Sequence, residues 1–164
     1  MYYFSYGSNI STPRMQKRVP SAKVVAVGGL NNHELKFHKV SKDGSSKCDI
    51  FKTLKFTDVV YGVIYEIRES EKASLDHAEG LGLGYEQKLV KVSIINNQSI
   101  SALTYYATKI REELKLYHCY KEHVVRGAIE NNLPSEYVTK IESVESERDP
   151  EQKRNARELL IYST

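Results

Sequence analysis

A reaction that moves protons at neutral pH needs a group able to take a proton and give it back. Glu79 is the carboxylate in this sequence best placed to be one. It closes a short stretch with helical patterning, Ser70–Glu79, and stands directly before Gly80, the residue that stops that helix. A helix C-terminus disfavours a negative charge, so Glu79 gains nothing there as a cap. Asp76 lies on the same helix face at i, i+3, and mutual repulsion is expected to raise one of the two pKa values. The plain alternative is a solvated surface glutamate.

A second candidate is the tripeptide Gly7-Ser8-Asn9. It joins an aromatic strand, Tyr2–Tyr6, to a helix that Ser11 or Thr12 can cap with Pro13 in its first turn. Free N–H groups at such a junction form an anion or oxyanion site, and a structural turn is the even alternative. Ser8 is not in a G-x-S-x-G elbow. Cys119 and His123 share a helix face, but no third residue at a recognisable spacing orients them as a nucleophilic pair. Nor do His118 and His123 have a carboxylate or a second segment to complete a metal site. Gly80-Leu81-Gly82-Leu83-Gly84 has the wrong spacing for a dinucleotide loop and follows a helix, so it reads as a helix stop and a flexible loop.

These residues must be held by the elements around them. Strands are expected at Lys23–Val27, closed by Gly28-Gly29, and at Glu34–Val40, Cys48–Phe51 and Val59–Ile67. Tyr85–Ile95 and Ile100–Ala107 read as a hairpin. Helices are expected over Glu112–Asn131, with Leu116, Tyr120, Val124 and Ala128 on one face, and from Pro134 to Ser143. Strands and helices do not alternate, which favours a mixed or mainly antiparallel curled sheet flanked by helices over a doubly wound one. Tyr3 and Tyr6, at i and i+3 of one strand, are expected to face opposite sides, with at most one ring in a given pocket.

The chain has 164 residues, a length that suits one domain. We read residues 1–143 as that domain and 144–164 as a charged, helical tail. With 40% hydrophobic and 27% charged residues, global disorder is excluded. A net charge of +3 is too small to argue for nucleic acid. No apolar run is long enough to span a membrane, and the N-terminus lacks the features of a signal peptide. Cys48 and Cys119 lie too far apart for a metal-spaced pair, so a reduced cytoplasmic protein is expected.

Several segments in order resemble the gamma-glutamylcyclotransferase-like family, which includes the AIG2-like proteins. They are Tyr3-Phe4-Ser5-Tyr6-Gly7-Ser8-Asn9, Val60-Tyr61-Gly62-Val63, Leu75-Asp76-His77-Ala78-Glu79-Gly80 with Tyr85-Glu86, and Thr104-Tyr105-Tyr106-Ala107. Tyr120, Gly127-Ala128, Leu133-Pro134 and Tyr137 complete the series. The resemblance implies an α+β fold, a small curled barrel flanked by helices. It also implies that the α-amine of a γ-glutamyl group attacks its own γ-carbonyl, closing 5-oxoproline and expelling an amine. By position, Glu79 matches the catalytic acid/base. Tyr3, Phe4, Ser5, Tyr6, Gly7, Ser8 and Asn9 match the substrate-binding strand and turn, and Tyr120 matches a substrate-contacting tyrosine. The implied partner is a small γ-glutamyl substrate, with no metal or organic cofactor. Two rivals are a non-catalytic domain that binds a carboxylate ligand in the same pocket, and another acyl transfer or hydrolysis there. Ala78 and the loop after Glu79 border the leaving-group side.

Overall fold

The computed structural model describes residues 1–163. In chain order the elements are β1 (Tyr2–Ser5), α1 (Thr12–Arg18), β2 (Lys23–Asn31), β3 (His33–Val40), β4 (Ser46–Lys52), β5 (Val59–Glu66) and α2 (Lys72–Glu79). They continue with β6 (Tyr85–Ser93), β7 (Ser99–Ala107), β8 (Leu116–Tyr117), α3 (His118–Glu130), α4 (Ser135–Glu142), β9 (Ser146–Glu147) and α5 (Gln152–Leu159). Strands β1-β5-β2-β6-β7 close into a barrel, the curled sheet expected from the sequence, and β3-β4-β8-β9 form a second sheet. Closure comes from a short parallel contact, Tyr3 against Leu103, between β1 and β7. Among the described residues no helix is long and apolar enough to cross a membrane.

Strand β5 explains the core. Its β-branched and aromatic run lies between β1 and β2, and Val60, Val63, Ile64 and Tyr65 are all buried at 0% exposure. Each such side chain contributes about 1.5–3 kcal/mol of burial. Helix α1 adds Met15, and α3 adds Val124 and Ala128, to the same core.

Two boundaries differ from the sequence expectation. Strand β2 does not close at Gly28-Gly29 but runs through them. A side chain at Gly28 would come within 2.6 Å of the Ser93 carbonyl oxygen, so the glycine here admits a neighbouring strand rather than ending its own. Helix α3 starts at His118, not Glu112. The preceding segment is a strap with a turn at Glu112-Glu113, pinned to the second sheet: Arg111 N–H donates to the His38 carbonyl at 2.8 Å, and Ser46 N–H to the Lys115 carbonyl at 2.9 Å. The buried His38 ring completes this strap, with Nε2 at 2.9 Å from Asp49 and Nδ1 at 2.9 Å from Glu112. Leu116 is therefore a strand residue in β8 and does not lie on the helix face.

A 3-10 turn, Ser8–Ile10, follows β1 and packs on α3 at Gly127. A Cβ built on Gly127 would lie 2.3 Å from Ser11 N and 2.5 Å from Ile10 C, both backbone atoms that cannot swing away. Alanine is the better helix former by about 1 kcal/mol, so propensity and packing oppose each other in Gly127→Ala. The backbone clash wins. We expect the variant to be destabilised by about 1–3 kcal/mol, as for core overpacking. Thermal denaturation checks it: an unchanged or higher Tm contradicts the clash.

Candidate active site

Helix α2 ends at Glu79 because Gly80 takes the left-handed conformation, φ +74°, and caps it. Three side chains from the N-terminal segment converge on the Glu79 carboxylate. Oε1 accepts a hydrogen bond from Asn9 Nδ2 at 2.5 Å and one from the Tyr3 hydroxyl at 3.3 Å. Arg18 Nη1 lies 3.8 Å away and donates to Asn9 Oδ1 at 2.8 Å. Asn9 thus has its oxygen toward the cation and its amide toward the anion, which fixes its orientation.

The Glu79 side chain is only 16% exposed. Burial raises its pKa, against the opposing pull of the Arg18 charge and the Tyr3 hydrogen bond. Repulsion from Asp76, the cause expected from the sequence, is not what does this. Asp76 is turned to Lys72 Nζ, at 2.7 and 2.8 Å, and to the Tyr105 hydroxyl, at 2.6 Å.

Glu79 stands where two spaces meet. An inner pocket of about 20 Å³ is bordered by Tyr3, Ser5, Tyr6, Gly7, Ser8 and Asn9. An outer cleft of about 200 Å³ opens beyond it, and Ser8, Glu79, Tyr85 and Tyr120 border both. The structure thus brings together seven of the eight candidate binding residues. Phe4 is the exception: it is fully buried, and its ring packs under Gly62 in the barrel. Tyr3 and Tyr6 both border the inner pocket; the Tyr6 ring lies 6.5 Å from that of Phe4, and its hydroxyl donates to the Tyr105 carbonyl at 2.7 Å.

The inner pocket is rich in donors. Among the described residues, none accepts a hydrogen bond from the backbone N–H of Gly7, Ser8 or Asn9. The Ser5 hydroxyl is buried with no partner. Tyr120 OH accepts the Cys48 N–H at 3.2 Å and lies beside the Cys48 thiol. Burial holds the Tyr120 pKa well above the ordinary phenol value, so the hydroxyl remains a donor.

Tyr85 and Arg18 also belong to this site and were not singled out as site residues from the sequence. Tyr85 had a signal, its place just after the Leu75–Gly80 motif. Arg18 had none, because a basic residue in the last turn of a helix is ordinary. The His118, Cys119 and His123 group is not a site. His118 is half-exposed, whereas His123 is buried and accepts from Arg14 Nη1 at 2.9 Å through Nε2. His123 Nδ1 donates to Tyr162 OH at 2.7 Å. Burial lowers its pKa to about 4, so the ring is neutral and serves as a support for Arg14.

The fold and this carboxylate-centred pocket agree with what comparison finds. The AIG2-like family model matches residues 59–141. The mouse and human proteins named gamma-glutamylcyclotransferase are each 34% identical to this chain, over 87% of it and 78% of their own length. A solved gamma-glutamyl cyclotransferase superposes with a TM-score of 0.86 at 29% identity, covering 100% of this chain and 99% of its own. The chain belongs to the gamma-glutamylcyclotransferase family and is an enzyme of the cyclotransferase class.

A folded-state pKa raised by burial makes ionisation costly. Glu79 adds stability below the ordinary carboxylate pKa, where it is protonated in both states, and loses it as pH rises through the raised folded value. Glu79→Gln removes that loss. The variant should melt above the parent at pH 8, with the gap narrowing toward pH 4. A gap that is the same at both pH values in thermal denaturation contradicts a buried, reluctantly ionised Glu79.

Proposed function

We propose that this enzyme closes γ-glutamyl compounds into 5-oxoproline, with Glu79 as the general acid/base. The α-amine nitrogen of the glutamyl group forms a bond to its own γ-carbonyl carbon. Glu79 takes the proton that the nitrogen sheds. The bond from that carbon to the leaving nitrogen then breaks, and Glu79 returns the proton to the departing amine. One carboxylate whose pKa is raised by burial serves both steps.

The observation that carries this reading is the position of Glu79 at the mouth of a donor-lined pocket. An anionic oxygen of the glutamyl group takes the free N–H groups of Gly7–Asn9 and the Ser5 hydroxyl. The reacting carbon then sits next to the carboxylate, with the leaving amine toward the outer cleft. A domain that only bound carboxylates would be hindered by an anion at its entrance. The nucleophile belongs to the substrate, and holding it folded can supply about 7–11 kcal/mol of the barrier in favourable cases. Cys48 and Cys119 are both free and buried, which supports a reducing, cytoplasmic setting.

The test is direct detection of 5-oxoproline from a panel of γ-glutamyl compounds. Glu79→Gln keeps the shape but cannot accept the proton, so turnover should fall by at least about 100-fold. Undiminished turnover removes the role given to Glu79, and free glutamate as product points to hydrolysis instead. Tyr120→Phe deletes a donor on the pocket wall. It should raise KM by about 10-fold, the worth of one hydrogen bond to a charged group, and unchanged kinetics would reduce Tyr120 to a core aromatic.

A further inference from the structure

The outer cleft has five cations on its walls: Arg14, Arg18, Lys39, Lys47 and Arg154. Four have a carboxylate within reach. Arg14 lies 2.5 Å from Glu158, Lys47 2.9 Å from Asp43, Arg154 2.5 Å from Asp149 and Arg18 3.8 Å from Glu79. Lys39 is different. Among the described residues no carboxylate lies within salt-bridge distance of its ammonium, and none accepts a hydrogen bond from it. Its one recorded partner is the face of Tyr85, 4.5 Å from Nζ to the ring centre.

Lys39 is also only 8% exposed, an unusual place for an unpaired ammonium. A β-bulge puts it there. The register of β3 against β4 slips between Phe37 and Lys39, so His38 and Lys39 are consecutive and both buried. His38 uses its inward place to hold Asp49 and Glu112. Lys39 uses its own to reach the cleft.

We infer that Lys39 selects substrates whose leaving amine carries a carboxylate, by pairing with that carboxylate across the outer cleft. This rests on the ring-closure reading above. The glutamyl half is already served by the donors of the inner pocket, which Lys39 does not border. In a γ-glutamyl amino acid the second carboxylate sits one carbon from the departing nitrogen, hence on the outer side of Glu79. An anion arriving there is repelled by Glu79 unless a cation offsets it. Lys39 and Glu79 are close enough to feel each other's charge, so Lys39 is placed to do so. A leaving amine without a carboxylate leaves the ammonium unpaired in a largely dry site.

The experiment compares γ-glutamyl-alanine with its neutral carboxamide, γ-glutamyl-alaninamide, by 5-oxoproline release. The parent enzyme should favour the acid by about 10- to 100-fold in kcat/KM, the range for a charge-assisted hydrogen bond. Lys39→Met should raise KM for the acid by a similar factor and change the amide by no more than about 3-fold, so that the preference disappears. Lys39→Arg should restore most of it. Equal turnover of both compounds by the parent overturns the assignment of Lys39 while leaving ring closure intact. So does an equal loss on both compounds in Lys39→Met, which marks a structural lysine. No 5-oxoproline from either compound overturns ring closure for this substrate class, and the Lys39 assignment falls with it.

Discussion

The site depends on keeping a carboxylate at the end of a helix, where the backbone opposes it, and away from most of the solvent. Burial by itself pushes the Glu79 pKa up. The Arg18 charge and the Tyr3 hydrogen bond pull against this without cancelling it. Arg18 approaches only to 3.8 Å, and its closer contact is to the Asn9 side-chain oxygen at 2.8 Å. The amide between them relays the field of the cation while holding the two charges apart. A direct bidentate Arg–Glu pair would push the carboxylate down and make a poor base. The observed arrangement leaves it raised, and a raised carboxylate is one that can exchange protons near neutrality.

This geometry requires four chain segments to meet within a few ångströms. Strand β1 delivers Tyr3, the turn after it delivers Asn9, and α1 delivers Arg18, all from the first eighteen residues. Helix α2 brings Glu79 from the far side of β5. The barrel fixes the distance between them, since β1 pairs with β5 through Tyr3 and Tyr65 in register. The Tyr65 hydroxyl in turn donates to the Ile10 carbonyl at 3.1 Å and anchors the turn that carries Asn9. The last residues add to the same wall: Glu158 on α5 holds Arg14, and the Tyr162 hydroxyl donates to Ser11 Oγ at 2.8 Å. Elements distant in sequence therefore brace one small constellation.

What could be read from the sequence follows from which signals are local. The β-branched run Val59–Ile67, the Pro13 helix start and the Gly80 stop are set by neighbours in the chain, and the structure has each of them within a residue or two. The turn at Gly7–Asn9 beside a strand and Glu79 before Gly80 were legible for the same reason. Other features depend on packing between distant segments. Gly28 sits inside a strand because Ser93 approaches it, and residues 111–115 are non-helical because His38 and Ser46 hold them. No local pattern carries that information. The bulge that turns Lys39 inward is likewise a mismatch between two strands, visible only once their register is known. Asp76 shows the converse: its spacing from Glu79 was local and clear, but Lys72 and Tyr105 draw it aside.

One question left by the pocket is why a thiol beside the reacting position does not become the nucleophile. Cys48 borders the inner pocket with Glu79, and a thiol attacking a γ-glutamyl carbonyl would give an acyl-enzyme rather than a ring. Its surroundings oppose that. Burial pushes its pKa up to about 12, so the thiolate is scarce at neutral pH. Among the described residues no histidine borders either pocket to act as its base, and the two buried nearest the strap and α3 are taken: His123 by Arg14 and Tyr162, His38 by Asp49 and Glu112. The Ser5 hydroxyl is likewise buried, with no base hydrogen-bonded to it. A pocket with two unactivated candidate nucleophiles and one proton-exchanging carboxylate suits a substrate that brings its own amine. The protein then has to fold that substrate, exclude water and move one proton.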